Sequence, residues 1–534
     1  MPSLRQEVIV AQAQERGAGP VSEAVRDRRD AYPTAAARLT PAHSLEDSAA
    51  LGGRICYNQS MRMLPLRTQA LIFPGNLLIA SLLFCAGSIL GAVLTWPAPT
   101  GEPLATDYQV SADGQTVPVY GARVLDAPFA GKEWDFGGPY SFASFETSGR
   151  VTLRITSLRT LRHSIVRPAA PGVQLRVEDD HTLTLTLDGP RQISLEPDGK
   201  RGPLLIFANP PEVNPPQPGD AGVIFFGAGV HKPGRIDVTN GQTLYLAGGA
   251  VVKGGIEARG KDIRILGRGI LDGSDWAWTK GPTSATIAIR GTNVLVEGIT
   301  IRGSPGWTIV PRGSQHVTIR NVKLCNSRVQ NDDGINPCNS QDVLITGCFI
   351  RSDDDCVALK GLDPSLPNAN VERITVENCI LWCDRARVFL LGHESRAPFM
   401  RDITLRNLDI IHFTMTPFLL EPGEEMRLEN VTVENVRLHG EGQRELIRLK
   451  PVVNQYMKTK VPGSIRDIRF KNVSLTGQPG DYRVQLAGAD AGHQVRQVTF
   501  DGVSILGTNL APQSRALAIG PFVQDTRFPP ALPK

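Results

Sequence analysis

The segment Val317-Thr-Ile-Arg-Asn321 is followed by Val343-Leu-Ile-Thr-Gly347 and then by Ile374-Thr-Val-Glu-Asn378, which are three copies of one five-residue pattern. The first and third positions of each copy are apolar, and the fifth is Gly or Asn. The copies begin roughly 20–40 residues apart, a period that is typical of solenoid repeats. Six further segments carry the same pattern: 263–267, 294–298, 403–407, 431–435, 468–472 and 498–502.

The pattern predicts one strand and one bend in every repeat. Alternating apolar positions indicate a strand with one buried face, and Gly and Asn are the residues that most readily accept a left-handed backbone. Such repeats stack into a parallel β-helix, in which neighbouring coils lie about 4.8 Å apart. Leucine-rich repeats have similar periods, but the chain lacks their Leu-x-x-Leu-x-Leu framework. We therefore predict an all-β protein with a right-handed parallel β-helix (a solenoid) over residues 236–515.

A second, smaller domain is predicted in front of the β-helix. Val151-Thr-Leu-Arg-Ile-Thr156 and Thr182-Leu-Thr-Leu-Thr-Leu187 alternate in the manner of half-buried strands, and no helical period accompanies them. This pattern is typical of a β-sandwich, which we place at residues 101–235. The proline-rich segment 210–218 predicts a stiff connector to the β-helix.

One long apolar run lies in the first hundred residues, between Leu77 and Leu94. Basic residues precede the run and prolines follow it, which is the layout of an export signal or an uncleaved anchor. We expect a signal peptide or membrane anchor over 61–100, with anchoring through residues 70–95. Either interpretation predicts an exported protein, periplasmic or secreted. The terminal segments are interpreted as a disordered arm or mis-assigned start, 1–60, and a C-terminal tail, 516–534.

The composition excludes several functional classes. The 57 basic and 53 acidic side chains give a net charge of only +4, which is too even for electrostatic binding of nucleic acid. Neither the Cys/His spacing of a zinc site nor a phosphate-binding glycine loop occurs in the chain. We therefore expect a monomer with no metal, no cofactor and no nucleic-acid partner.

Most of the eight cysteines fall within the repeats. Cys348 and Cys379 have the same offset in consecutive repeats, so their backbones are expected to stack within reach of a disulfide. A bridge and a ladder of buried free thiols are both consistent with this spacing.

Acidic residues are concentrated in two consecutive repeats, in the segments Asn331-Asp-Asp-Gly334 and Ser352-Asp-Asp-Asp-Cys356. Asp333 precedes Asp354 and Asp355 by about one coil, so the carboxylates are expected to lie close together on one wall of the solenoid. Glycoside hydrolysis needs such a cluster, because one carboxyl group must be protonated and another must be ionised to activate water. A calcium site and a pair of solvated turns are the alternative interpretations.

A resemblance favours hydrolysis. Four segments resemble, in order, the Asn-Thr-Asp, Asp-Asp, Gly-His-Gly and Arg-Ile-Lys signatures of family 28 glycoside hydrolases, the polygalacturonase family: Asn331-Asp-Asp-Gly334, Asp354-Asp-Cys-Val-Ala358, Gly392-His393 and Arg448-Leu-Lys450. The resemblance covers about residues 240–510. It implies that Asp354 is the general acid, that Asp333 and Asp355 position and activate water, and that the anomeric carbon is inverted.

The chain departs from this family at two positions. Asp332 stands where the family has Thr, and Glu394 replaces the second Gly after His393. The segment Arg387-Val-Phe-Leu-Leu-Gly-His-Glu-Ser395, together with the front domain, also resembles family 49 dextranases and isopullulanases of the same clan. Fold and inverting chemistry are common to both families, whereas the substrate is not.

Further residues of the motifs are candidates for the site. The Gly-His context makes His393 a catalytic candidate, and Asn331 is a candidate for substrate binding. Arg448 and Lys450 alternate on a strand and point the same way, which suits the carboxylate of a uronate sugar. Lys360 is expected to damp the repulsion among the carboxylates or to contact substrate.

We expect an inverting hydrolase of α-glycosidic bonds in a polysaccharide, with uronate-containing pectin or galacturonan as first choice. Three alternatives remain open: a dextranase-like hydrolase of a neutral α-glucan, a polysaccharide lyase and a non-catalytic glycan-binding solenoid. The Asp333, Asp354 and Asp355 trio argues against a lyase, which needs a basic residue to abstract a proton.

Overall fold

A computed structural model describes residues 92–126 and 137–529. Within these ranges every extended regular element is a β-strand, and no helix long and apolar enough to cross a membrane is found there. The predicted arm at 1–60 and nearly all of the predicted signal or anchor lie outside the described residues. Val93 and Leu94, at the end of the apolar run, form a strand that pairs with Thr147 and Glu146.

The front domain consists of two sheets with an apolar core between them. One sheet contains β1, β4, β5, β7, β10 and β11, and the other contains β2, β3, β6, β8 and β9. The strands are β1 (Val93–Leu94), β2 (Tyr108–Ala112), β3 (Gln115–Val117), β4 (Val119–Val124), β5 (Gly138–Thr147), β6 (Val151–Ser157), β7 (Ile165–Arg167), β8 (Val173–Asp179), β9 (Thr182–Leu187), β10 (Arg191–Glu196) and β11 (Leu204–Asn209).

The remaining strands pair almost entirely in parallel and form a coiled stack. They are β12 (Val223–Phe226), β13 (Gly229–Val238), β14 (Thr243–Leu246), β15 (Ala250–Gly267), β16 (Ile270–Asp272), β17 (Ile287–Glu297), β18 (Thr300–Arg302), β19 (Ile309–Pro311), β20 (Gln315–Arg320), β21 (Lys323–Cys325), β22 (Gln341–Thr346), β23 (Phe349–Ser352), β24 (Val357–Leu359), β25 (Val371–Glu377), β26 (Ile380–Cys383), β27 (Phe389–Gly392), β28 (Phe399–His412), β29 (Phe418–Glu421), β30 (Arg427–Glu441), β31 (Glu445–Leu449), β32 (Ser464–Gln478), β33 (Arg483–Leu486), β34 (Val495–Ile505), β35 (Thr508–Asn509), β36 (Leu517–Ile519) and β37 (Val523–Arg527). The prediction of a parallel β-helix preceded by a small β-sandwich is confirmed.

The nine repeats stack in the register that their pattern predicts. Ile263 pairs with Val294, and the first residue of every later copy pairs with that of the next, as far as Ile468 with Val498. All nine fifth positions have φ between 50° and 128°, so the predicted left-handed bend is present in every repeat. The paired strands extend from Val223 to Arg527, which is further at both ends than the predicted 236–515.

A second bend, which sequence analysis missed, lies immediately before each repeat. The preceding residue has φ between 53° and 59° in all nine copies. Its identity varies among Asp, Asn, His, Arg and Gln, so no compositional signal marks it. Each repeat therefore has a left-handed residue just before it and another at its fifth position, even where the strand continues past them, as in β28, β30 and β32. Bends at the same offset in every coil oppose a slip in register.

All six solenoid cysteines are buried free thiols. The backbone N–H of Cys348 lies 3.4 Å from Cys379 Sγ, so the two residues stack as predicted. Of the two alternatives left open by the spacing, the structure contains the thiol ladder.

The sandwich packs on the β-helix through aromatic side chains and buried charges. The guanidinium of Arg351 lies 4.2 Å from the ring centroid of Tyr140 and 3.9 Å from that of Trp382. Asp384 accepts a hydrogen bond from Arg351 at 2.9 Å, so this buried cation is paired as well as stacked. Tyr140 belongs to the sandwich, and the other residues belong to the β-helix.

His412 forms a second connection between the domains. Its Nε2 lies 3.0 Å from Glu196 of the sandwich, and its Nδ1 lies 2.7 Å from Glu441 of the β-helix. Burial disfavours the charged imidazole, but the two carboxylates outweigh burial and raise the pKa of His412. Lys200 and Arg167 complete the cluster through bonds to Glu441 and Glu196.

We expect His412→Gln to lower the free energy of unfolding by about 2 kcal/mol, because it removes the charged hydrogen bonds to the buried Glu196 and the partly buried Glu441 and leaves only Arg167 and Lys200 to pair with them. A raised folded-state pKa stabilises the protein fully below the unfolded value and loses this effect as pH rises through the folded value. The loss of Tm should therefore be larger at pH 5.5 than at pH 8.5. His163→Gln at an exposed position is the control; a pH-independent loss of Tm in the His412 variant would contradict this account.

Candidate active site

Asp333, Asp355 and Arg387 are stacked on three consecutive coils. Ile335 bridges to Val357, and Val357 pairs with Phe389, so the residues two positions earlier are also in register. The backbone N–H groups that follow Asp333 and Asp355 confirm this, because Gly334 donates to Asp355 O at 2.9 Å and Cys356 to Arg387 O at 3.1 Å. Sequence spacing predicted the first two members of this column but not Arg387.

Asp333 is a buried carboxyl group, 2% exposed. Its Oδ2 accepts a hydrogen bond from Asn336 at 2.8 Å and lies 3.5 Å from Lys360 Nζ. Its Oδ1 has no hydrogen-bond partner among the described residues. Burial raises the pKa of Asp333 well above its ordinary value, although Lys360 acts in the opposite direction.

Asp355 is equally buried but has a different partner. Arg387 Nε lies 3.1 Å from Asp355 Oδ1, and the backbone N–H of Arg387 donates to the same oxygen at 3.1 Å. Burial raises the pKa of Asp355 to about 6, against the attraction of Arg387. The carboxyl group is therefore mainly ionised at neutral pH.

Asp354 is the most accessible of the three predicted carboxylates. Its Oδ2 accepts a hydrogen bond from the exposed Asn331 at 3.0 Å, and its Oδ1 accepts one from the backbone N–H of Asp355. Asn331 and Asp354 are thus brought together at the mouth of the site, where substrate can reach them.

Asp332, the first departure from the family pattern, has a structural role. It is fully buried and accepts hydrogen bonds from the backbone N–H groups of Ser327 at 2.6 Å and Asp353 at 2.7 Å. Burial raises the pKa of Asp332. The side chain therefore connects two coils beneath the site.

Glu394, the second departure, forms an ion pair with Lys360 at 2.7 Å. Lys360 also lies near Asp333 and 4.4 Å above the ring of Trp307. This cation is buried, and the two carboxylates raise its pKa despite the opposing effect of burial. Of the two expected roles of Lys360, damping of repulsion is the one that these contacts favour.

His393 and Arg448 are joined by a carboxylate that sequence analysis missed. His393 Nδ1 lies 2.9 Å from Glu421 Oε2, and Arg448 donates to Glu421 Oε1 at 3.3 Å. β27 pairs with β29 and β29 with β31, so Arg448 lies two coils beyond Gly392. Lys450 is exposed, and its backbone N–H bonds to Leu420.

The missed residues are Arg387, Glu421, Glu445 and Asn336. Coil register could have found the first two, since Arg387 follows Asp355 and Glu421 follows Gly392 by one coil. Within the described residues, no group of three or more His, Cys, Asp or Glu side chains is arranged to hold a metal.

The fold and the site define a parallel β-helix that carries a half-exposed carboxyl group beside two buried ones of raised pKa. Comparison with known proteins agrees with this class. Residues 258–378 match the family described as Glycosyl hydrolases family 28, so the predicted resemblance is confirmed over this segment.

Two curated relatives are polygalacturonases by name. "Probable exopolygalacturonase B" of Aspergillus terreus is 27% identical over 34% of this chain and 45% of its own length. "Exopolygalacturonase B" of Aspergillus niger is 24% identical over 41% of this chain and 56% of its own length. The chain thus spans about half the length of the curated relatives that it matches.

A solved structure, Dex49A from Penicillium minioluteum, is similar over the sandwich as well as the β-helix. It covers 82% of this chain and 100% of its own, with a TM-score of 0.59 and 16% identity. This likeness shows a shared fold.

We expect Lys360→Met to destabilise the fold by about 3 kcal/mol or more, because Asp333 and Glu394 would lose a buried cation. In a double-mutant cycle with Glu394→Gln, the double variant should be more stable than the sum of the single losses by about 1–3 kcal/mol. Urea unfolding of the four proteins measures this coupling. Additive losses would show that the Lys360–Glu394 pair contributes nothing of its own.

Proposed function

We propose that the protein is an inverting glycoside hydrolase of the polygalacturonase type, which cleaves α-glycosidic bonds in a pectic polysaccharide. The observation that carries the proposal is the stacking of Asp333 and Asp355 beneath the more accessible Asp354. The family 28 match and the exopolygalacturonase relatives support the same reaction. Export, which the apolar run predicts, agrees with a polymer outside the cell as substrate.

The three carboxyl groups have different proposed roles because their surroundings differ. Asp354 is accessible and is proposed to donate a proton to the departing glycosidic oxygen. Asp355, ionised above a pKa of about 6, accepts a proton from water as that water attacks the anomeric carbon. Asp333 Oδ1, which lacks a partner among the described residues, is available to orient this water.

His393, Asn331 and Lys360 complete the proposed site. His393 is oriented by Glu421 through Nδ1, which leaves Nε2 for a sugar hydroxyl. Asn331 fixes the carboxyl group of Asp354. The positive charge of Lys360 reduces the electrostatic repulsion between the carboxylates of Asp333 and Glu394.

The neutral-glucan alternative retains one supporting observation, since the fold likeness to Dex49A extends over the sandwich. Release of unsaturated, ultraviolet-absorbing products from pectate would instead identify a lyase. A purified protein that binds polysaccharide but releases no reducing sugar would be a glycan-binding solenoid.

Asp354→Asn should reduce turnover of an unactivated pectic polymer by at least ~10²-fold, the usual scale for the loss of a general acid. The fold should be retained, because Asn has the shape of Asp and its one amide oxygen can still accept the bond from the Asp355 backbone N–H, while only the bond from the exposed Asn331 is lost. Reducing-sugar release and thermal unfolding are measured in parallel, with Asp198→Asn on the sandwich surface as control. Near-normal hydrolysis by the Asp354 variant would assign the acid to another residue.

Attack by a water held on the face opposite the leaving group inverts the anomeric carbon in one step. Proton NMR in the first minutes of hydrolysis, before mutarotation, should therefore show β-configured product from an α-linked polymer. No transfer to added alcohols is expected, because no covalent glycosyl-enzyme forms. Initial release of the α-anomer would contradict the roles of Asp333 and Asp355.

A further inference from the structure

Glu421 is a buried carboxylate next to the Gly392-His393 turn. Gly392 pairs directly with Glu421 on the next coil, and Glu421 is 6% exposed. One oxygen lies 2.9 Å from His393 Nδ1 and the other accepts a bond from Arg448. The hydrogen bond to His393 and the charge of Arg448 outweigh burial and hold the pKa of Glu421 below its ordinary value. A negative charge is therefore fixed beside the candidate catalytic histidine.

Arg448, the cation predicted to bind a sugar carboxylate, is already paired. Its Nη2 donates to both carboxylate oxygens of Glu445 at 2.6 Å, in addition to the contact with Glu421. Glu445 is held in place by Thr416 at 2.5 Å and Gln485 at 3.0 Å. Because two protein carboxylates share this guanidinium and offset its charge, a uronate would compete with them for it.

Glu394, the residue that follows His393, adds a further carboxylate near this histidine. Lys360 bonds to it at 2.7 Å and holds the pKa of Glu394 down against the effect of burial. A uronate beside His393 would therefore lie near Glu394 and Glu421, each of which already has a protein cation as partner. Like charges brought together in a partly desolvated site repel strongly.

We propose that Glu421 excludes a free uronate from the sugar position beside His393, so that this position takes an uncharged unit. The proposal rests on the proposed function and narrows its substrate to chains whose unit at this position has no ionised carboxylate. Two kinds of sugar unit lack an ionised carboxylate: a methyl-esterified galacturonate and a neutral sugar. In either case Glu421 and Glu394 accept hydrogen bonds from sugar hydroxyl groups.

The test compares kcat/KM on methyl-esterified galacturonan with that on the de-esterified polymer. The wild type should favour the ester, and Glu421→Gln should shift the ester-to-acid ratio toward the acid by about tenfold, the effect of one like charge removed. Glu429→Gln, which removes a charge paired with Arg466 in the other sheet of the β-helix, should leave the ratio unchanged. A wild type that favours the acid, or an unshifted ratio in Glu421→Gln, overturns the proposal.

Glu445→Gln provides a second variant that leaves Glu421 in place. It releases Arg448 from its bidentate partner, so activity on the de-esterified polymer should again rise relative to the ester. An equal loss on both polymers would indicate a purely structural Glu445 and would count against the proposal.

Binding separates this proposal from the proposed function. Calorimetric titration of the Asp354→Asn protein with oligogalacturonate, its methyl ester and a neutral α-glucan oligosaccharide does not depend on turnover. Tighter binding of the ester or the glucan than of the acid supports the proposal, and the preferred ligand identifies the kind of sugar unit. If the wild type hydrolyses none of the polymers, the proposed function fails while these affinities still decide the charge preference. The proposal for Glu421 is overturned if the oligogalacturonate binds as tightly as its methyl ester, or if no ligand binds.

Discussion

The coil-to-coil register of the β-helix is the constraint on which the rest of the structure depends. A left-handed residue just before every repeat and another at its fifth position bend each coil at the same places, and pairing of equivalent residues extends this order through nine repeats. Because neighbouring coils are about 4.8 Å apart, any residue type that recurs at one offset becomes a column of adjacent side chains. The asparagines at the fifth position form such a column, with Asn472 donating to Asn435 at 2.8 Å.

The same register concentrates charge at the candidate site. Asp333 and Asp355 occupy one column with Arg387, and Gly392 is followed by Glu421 in another. Stacking at this spacing is costly for like charges, particularly when they are buried, so each carboxylate needs a cation within reach. The structure supplies Lys360 to Asp333 and Arg387 to Asp355. The resulting pKa of about 6 for Asp355 reflects burial that its cation only partly offsets.

Sequence patterns predicted what depends on residues close together in the chain. The apolar alternation and the Gly or Asn at position five are local features, and they were sufficient for the strands, the bends and the pairing of Asp333 with Asp355. The second bend was missed because residues as different as Arg373 and Gln497 adopt it. Arg387, Glu421 and Glu445 were missed because a motif gives the order of residues along the chain and not the coil on which each one lies.

Arg448 shows why this distinction matters for function. The Arg448-Leu-Lys450 segment has the residue types and the order that the family signature leads one to expect, yet it lies two coils beyond Gly392. The intervening coil presents Glu421 at the position that faces His393. Arg448 is here paired with both Glu421 and Glu445. The coil on which each motif residue lies therefore decides which charges surround the histidine, even though the four motifs occur in the expected order along the chain.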